Sequence, residues 1–215
     1  MDAVEFPLSY PVENTGADCA RPPLPPFGEL PPIEELPNPF AWSDGSVVIS
    51  RRSDWRCRRA EIAEEIQHYQ LGRKPAPPDE LGVSFSEGEQ ILRVTVREGD
   101  AELTLTARVT VPAGEGPFPA LIGVGFGTGS LPPELILGRG IATVQFHFME
   151  IADVYTERGV DPFYRLFPDE IGKYAAWAWG VSRIIDGLAA VKSRLNLDLT
   201  RLGMTGCSFA GKLAL

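Results

Sequence analysis

Histidine is nearly absent from this chain: 215 residues contain only His68 and His147. Cysteine is almost as scarce, with Cys19, Cys57 and Cys207 and no CxxC pair. With so few soft ligands and no Cys/His cluster, no zinc site is expected, and nothing in the sequence calls for another metal or a cofactor. Positive charge is also short. Twenty Lys and Arg stand against 29 Asp and Glu, a formal net charge of −9. Nucleic acid and anionic membrane surfaces both need basic patches, so neither is expected as a partner. No apolar run approaches the roughly 18 residues that a transmembrane helix requires. The start, Met1-Asp2-Ala3-Val4-Glu5-Phe6-Pro7, lacks a basic stretch followed by an apolar core, so no secretory signal is visible in it.

What is abundant is proline, unevenly placed. Residues 1–45 carry Pro22-Pro23, Pro25-Pro26, Pro31-Pro32, Pro37 and Pro39. This composition favours extended, PPII-like chain and reads as an arm or linker ahead of a domain at 46–215. A ligand for SH3-type domains is the less favoured reading. The cysteine spacing leaves two arrangements open, three free thiols or one pair with an orphan.

Beyond the arm the patterns are regular. Ser53-Asp54 opens a helix in which Trp55, Ile62, Ile66 and Tyr69 recur near helical spacing and which Gly72 ends. Its other face carries Arg58, Glu61, Glu64 and Glu65, and His68 is set aside as an ordinary side chain of this helix. Gln90–Arg97 alternates through Ile91, Arg93, Val94 and Val96. Glu98-Gly99-Asp100 supplies a turn, and Glu102–Val111 alternates again, which predicts a hairpin with one buried face. The runs Pro117–Phe126 and Gly140–Phe148 are almost continuously apolar, as suits central parallel strands. From Glu170 to about Leu195, Ile171, Ala175, Ala178, Val181, Ile185, Leu188, Val191 and Leu195 draw one helical stripe. Leu202–Cys207 reads as the next strand. The order is that of an α/β fold in which an antiparallel hairpin leads into a mostly parallel sheet.

The chemistry concentrates at Gly206-Cys207-Ser208-Phe209-Ala210. A strand, a sharp turn through Gly-Cys-Ser and a helix start form the setting of a nucleophile elbow, with Ala210 where the motif has glycine. The bland alternative is that Ser208 only caps the following helix. Gly125-Phe126-Gly127-Thr128-Gly129 lacks the spacing of a dinucleotide fingerprint. It is either a plain turn or, through Gly127 or its neighbours, a source of an oxyanion N–H. His147, at the end of an expected strand, is a candidate for lining the site but not for its base.

Several stretches together resemble the glucuronoyl esterases, carbohydrate esterase family 15. They include Pro39-Phe40 with Asp44-Gly45, Asp54–Ile62, Tyr69–Pro75, Pro117–Ala120 and Phe163-Tyr164. The most specific are Ala176-Trp177-Ala178-Trp179-Gly180-Val181-Ser182-Arg183-Ile184-Ile185-Asp186 and Thr205-Gly206-Cys207-Ser208 with Gly211-Lys212. The resemblance implies a secreted α/β hydrolase that cleaves esters between 4-O-methyl-glucuronic acid on xylan and lignin alcohols. It implies Ser208 as nucleophile and Lys212 as donor to hydroxyls of the glucuronoyl ring. It also implies a disulfide between Cys19 and Cys57, with Cys207 matching a cysteine whose partner lies further on.

Two departures from the family pattern bear on activity. The family places an oxyanion-stabilising Arg directly after the nucleophile, and here that residue is Phe209, which has only its backbone N–H to offer. The family's acid and base follow the nucleophile, whereas this sequence continues for seven residues past Ser208. The expectation is therefore the N-terminal part of an α/β-hydrolase domain, its C-terminal half missing, unable to hydrolyse an ester by itself. The alternatives are a non-catalytic saccharide-binding pseudoenzyme or gene fragment on the same scaffold, and an interaction protein that works through its arm.

Overall fold

The structure is a computed structural model, and it describes residues 18–214 apart from 21, 47, 48, 50, 52, 79, 126, 129, 130, 169 and 170. The described residues fall into two compact units that divide between Arg73 and Lys74.

In the N-terminal unit, helix α1 (Trp55–Ile66) starts after Asp54, runs into a π turn (Gln67–Leu71) and stops at Gly72 with φ 71°. The proline-rich arm is fastened to this helix at four places. Cys19 and Cys57 form the disulfide that the family resemblance implies. Asp18 pairs with Arg56 at 2.8 Å, and the Tyr69 hydroxyl donates to the Pro25 carbonyl at 2.7 Å. The fourth tie corrects the reading of the helix's charged face as a uniform set: Arg58 and Glu61 are buried, 2.7 Å apart. Arg58 also donates to the Ser43 hydroxyl at 2.7 Å and the Pro39 carbonyl at 3.2 Å, while Glu61 accepts from the Ser43 N–H. A buried ion pair persists only when its remaining hydrogen-bonding groups are satisfied, and the arm satisfies them.

The second unit is a six-stranded sheet in the order β1-β2-β3-β5-β4-β6. Strands β1 (Leu81–Ser86), β2 (Ile91–Glu98) and β3 (Ala101–Thr110) pair antiparallel, and β3 pairs antiparallel with β5 (Ala142–Phe146). From there β5, β4 (Phe118–Val124) and β6 (Leu197–Thr205) are parallel. The β2–β3 hairpin turns through Gly99-Asp100, with Glu98 opposite Ala101. Its alternation sets Leu92, Val94, Val96, Leu103, Leu105, Ala107 and Val109 inward. Strands β4 and β5 are buried along almost their whole length, as their apolar runs predict.

The short helices α2 (Pro133–Leu137) and α3 (Phe163–Leu166) lie in the connections. The long helix α4 (Lys173–Leu195) packs against β1, β2, β3 and β6, and its buried residues include Ala176, Gly180, Ile184 and Leu188, whereas Ala178, Ile185, Val191 and Leu195 of the expected stripe are only half-buried. Its Trp179 packs edge-on against Phe163 and Phe167, with the buried Arg183 over its ring. Nearby, the Tyr164 hydroxyl donates to the Ile171 carbonyl at 2.9 Å. Burial pushes that phenol's pKa up; Arg158 pulls it down and Asp161 raises it further. Among the described residues no helix is long and apolar enough to cross a membrane.

Candidate active site

Strand β6 ends at Thr205, Gly206 and Cys207 turn, and helix α5 (Phe209–Leu213) begins immediately after Ser208. Ser208 has φ 57° and ψ −117°. A serine on the left-handed side of φ costs on the order of 1–3 kcal/mol, which the surroundings must enforce. Here Ala210 N–H donates to the Cys207 carbonyl and Lys212 N–H to the Ser208 carbonyl, each at 3.1 Å. Gly206 is indispensable to the turn, because a Cβ there would lie 2.4 Å from both the carbonyl carbon and the oxygen of Ala210. The Ser208 side chain makes no capping hydrogen bond, although Ser208 occupies the N-cap position, and the residue is exposed. The capping explanation of this serine is therefore wrong, and what the turn accomplishes is to present a hydroxyl at the carboxyl edge of the sheet.

Phe209 occupies the first position of α5, where a backbone N–H has no acceptor within its own helix. The loop after β4 reaches the same edge. Gly123 stands opposite Thr205 in the β4–β6 register. The chain then folds back so tightly that a Cβ on Gly123 would sit 1.9 Å from the Gly127 carbonyl oxygen. A Cβ at Gly125 would approach the Phe148 ring at 3.2 Å and the Ala210 Cβ at 3.5 Å, so this loop and the elbow are in contact range. Phe126 and Gly129 of the glycine-rich segment lie outside the described residues.

Behind the elbow is an aromatic group that sequence reasoning missed. The Phe209 ring, 46% exposed, lies 6.3 Å from the rings of both Tyr174 and Trp177. Tyr174 and Trp177 are themselves edge-on at 4.9 Å, and Trp177 donates its indole N–H to the Ala152 carbonyl at 2.7 Å. The Lys212 ammonium stands 5.5 Å from the Phe209 centroid and 5.9 Å from that of Tyr174. The available signal was the i, i+3 spacing of Tyr174 and Trp177, which places two rings on one face at the start of α4.

The remaining candidates are dispersed. His147 directly follows β5, exposed, with its ring stacked 6.1 Å from that of Phe148, whose own ring meets Trp177 at 4.6 Å. It thus belongs to the sheet edge that carries the elbow. His68 belongs to the N-terminal unit, edge-on to Tyr69. Cys207 is exposed and has no disulfide partner among the described residues. Among the described residues no group of three or more His, Cys, Asp or Glu stands together as a metal site would need.

Residues 94–215 match the family model described as glucuronyl esterase, fungi. The chain belongs to the glucuronoyl esterase family. It is 39% identical over 190 residues to the 4-O-methyl-glucuronoyl methylesterase of Podospora anserina, covering 86% of this chain and 38% of that protein. It is also 39% identical over 183 residues to the methylesterase of Thermothelomyces thermophilus, covering 83% of this chain and 44% of that protein. The chain thus spans less than half the length of these two curated relatives. The catalytic domain of the Hypocrea jecorina glucuronoyl esterase superposes with a TM-score of 0.72 at 36% identity, over 89% of this chain and 51% of that one. A mutant of the Sporotrichum thermophile glucuronoyl esterase, solved with methyl 4-O-methyl-β-D-glucopyranuronate, superposes with a TM-score of 0.69 at 38% identity, over 83% and 47%. These likenesses establish the α/β-hydrolase fold for the sheet and helices described above.

Proposed function

We propose that the protein is a serine carboxylic-ester hydrolase of the glucuronoyl-esterase type, acting on esters of 4-O-methyl-glucuronic acid such as those that join xylan to lignin. The observation that carries the proposal is Ser208, exposed and uncapped at φ 57° on a strand–turn–helix elbow. In this reading Ser208 Oγ passes its proton to the general base and adds to the ester carbonyl carbon, and the carbonyl oxygen takes up the negative charge. We assign the stabilisation of that oxygen to the Phe209 N–H and an N–H from the loop around Gly127; such donors typically contribute ~10²–10³ in rate each. Collapse of the tetrahedral species expels the alcohol, which takes the proton from the base, and leaves an acyl-serine; water, deprotonated by the same base, then releases the glucuronic acid and restores the Ser208 hydroxyl.

Lys212, one helical turn beyond Ser208, carries three N–H donors and no acceptor, which suits hydroxyls of the sugar ring. Neither described histidine is assigned the base; the base and the carboxylate that orients it are placed in the full-length protein outside the described residues. Residues 46–215 are then assigned to the hydrolase domain and residues 1–45 to its arm. The Cys19–Cys57 disulfide and the family together support an extracellular location, since disulfides persist in oxidising compartments.

Phe209 favours a second reading, in which the scaffold binds the saccharide without turnover, because phenylalanine has no side-chain donor for an oxyanion. Purified full-length protein and its Ser208→Ala variant, offered a methyl ester of 4-O-methyl-glucuronate, separate the two readings. The esterase reading requires hydrolysis that the variant loses; binding with no hydrolysis in either protein supports the second reading.

A further inference from the structure

We infer that Phe209 and Tyr174 are positioning residues for Lys212, holding its ammonium over two ring faces beside the nucleophile. The inference rests on the reading of Lys212 as the donor to the substrate's sugar ring. Lysine is a point charge on a four-carbon stem with several rotatable bonds, so its head group has no fixed place unless neighbours supply one. Here it has one. Nζ lies within 6 Å of two aromatic centroids, the range in which the negative face of a ring attracts a cation.

The rings themselves are anchored. Tyr174 packs edge-on against Trp177, which is almost fully buried and tied by its indole N–H to Ala152, and Phe209 leans on both. The Tyr174 hydroxyl oxygen is buried and has no hydrogen-bond partner among the described residues, so Tyr174 contributes its ring to this group and not a polar contact. The Lys212 ammonium lies over the Phe209 ring, 5.5 Å from its centroid. Phe209 then has two separable parts: a backbone N–H beside Ser208 and a ring that fixes where Lys212 donates from.

The test uses the full-length protein and two independent measurements. The first is the ¹H–¹³C resonance of the Lys212 ε-methylene, identified by its loss in Lys212→Arg. Ring currents from the two aromatic faces should move it upfield in the wild type. Phe209→Leu, which keeps apolar bulk, should return it towards the random-coil position, and Phe209→Tyr should restore it. The second is kinetic. Tyr174→Leu, at a ring that has no part in the chemistry, should raise KM for the glucuronate ester about two- to fivefold with kcat nearly unchanged, since a donor placed equally well for substrate and transition state affects uniform binding. Phenylalanines of increasing fluorination at 209, which drain the ring's negative face at nearly constant size, should raise KM in step.

An unshifted Lys212 resonance in the wild type, or one indifferent to Phe209→Leu, overturns the inference, as does a KM indifferent to fluorination. The resonance needs no turnover. A ring-shifted Lys212 in a protein without Ser208-dependent hydrolysis would defeat the esterase reading and leave the positioning intact. Hydrolysis with an unshifted Lys212 would do the reverse.

Discussion

Gly206 and Ala210 approach so closely across the elbow that a Cβ on Gly206 would sit 2.4 Å from the Ala210 carbonyl carbon and 2.7 Å from its Cβ. The contact closes the turn that forces Ser208 to φ 57°. Ala210 itself is buried and takes the place where the usual elbow motif has glycine. Tolerance is thus unequal within the motif: the fifth position accepts a methyl group, whereas the first does not.

Gly206→Ala should therefore do more than destabilise. Overpacking against backbone costs about 1–3 kcal/mol, visible as a lowered melting temperature. Esterase activity of the remaining folded protein should fall much further than folding does, because relief of the clash opens the turn that presents Ser208. Activity lost only in proportion to the folded fraction would show that the elbow does not depend on this contact.

Gly123→Ala probes the other side of the site. The Gly127 carbonyl would have to leave the place where the added Cβ lies 1.9 Å away, and the loop after β4 would move with it. If that loop supplies an oxyanion N–H, kcat should drop by ~10²–10³. An unchanged kcat in a folded Gly123→Ala protein would remove the loop from the mechanism.

Tyr164 offers a pH signature away from the site. Burial raises its pKa above the ordinary value of about 10, so the folded state keeps the proton after the unfolded state has lost it. Its contribution to stability is therefore complete below pH ~10 and is lost as pH rises through the raised value. Tyr164→Phe gives up the hydrogen bond to Ile171, about 0.5–1.5 kcal/mol at neutral pH, together with that alkaline decline. Thermal melts of the two proteins should differ most near neutrality and converge at alkaline pH; a gap that widens with pH would contradict the assignment.

Much of this was legible in the residues. The apolar runs Pro117–Phe126 and Gly140–Phe148 suited central strands and contain β4 and β5, and Gly-Cys-Ser between a strand and a helix marked the elbow. Other parts were hidden for definite reasons. Strand β1 is a half-buried edge held by its ladder to β2, and backbone pairing leaves little trace in side-chain pattern.

Strand β6 begins at Leu197 and not at Leu202, and the polar residues Asp198, Thr200 and Arg201 lie within it. Their side chains satisfy one another, with Thr200 and Arg201 both donating to Asp198, and the pairing with β4 shifts register there. The long helix starts at Lys173, after Gly172, and not at Glu170. Arg58 and Glu61 were read with the charged face of α1, and what buries them is an arm far away in sequence. The grouping of Tyr174, Trp177, Phe209 and Lys212 likewise joins two helices that no local pattern connects.

Hydrolysis of the methyl ester of 4-O-methyl-glucuronate by the full-length protein, compared with its Ser208→Ala variant, tests the central claim most directly. Removing a catalytic serine costs on the order of 10⁶ in kcat where the triad is intact. The proposal predicts turnover in the wild type and a collapse of that size in Ser208→Ala, with the variant still folded. Equal hydrolysis by both proteins, or none by the wild type, would contradict it.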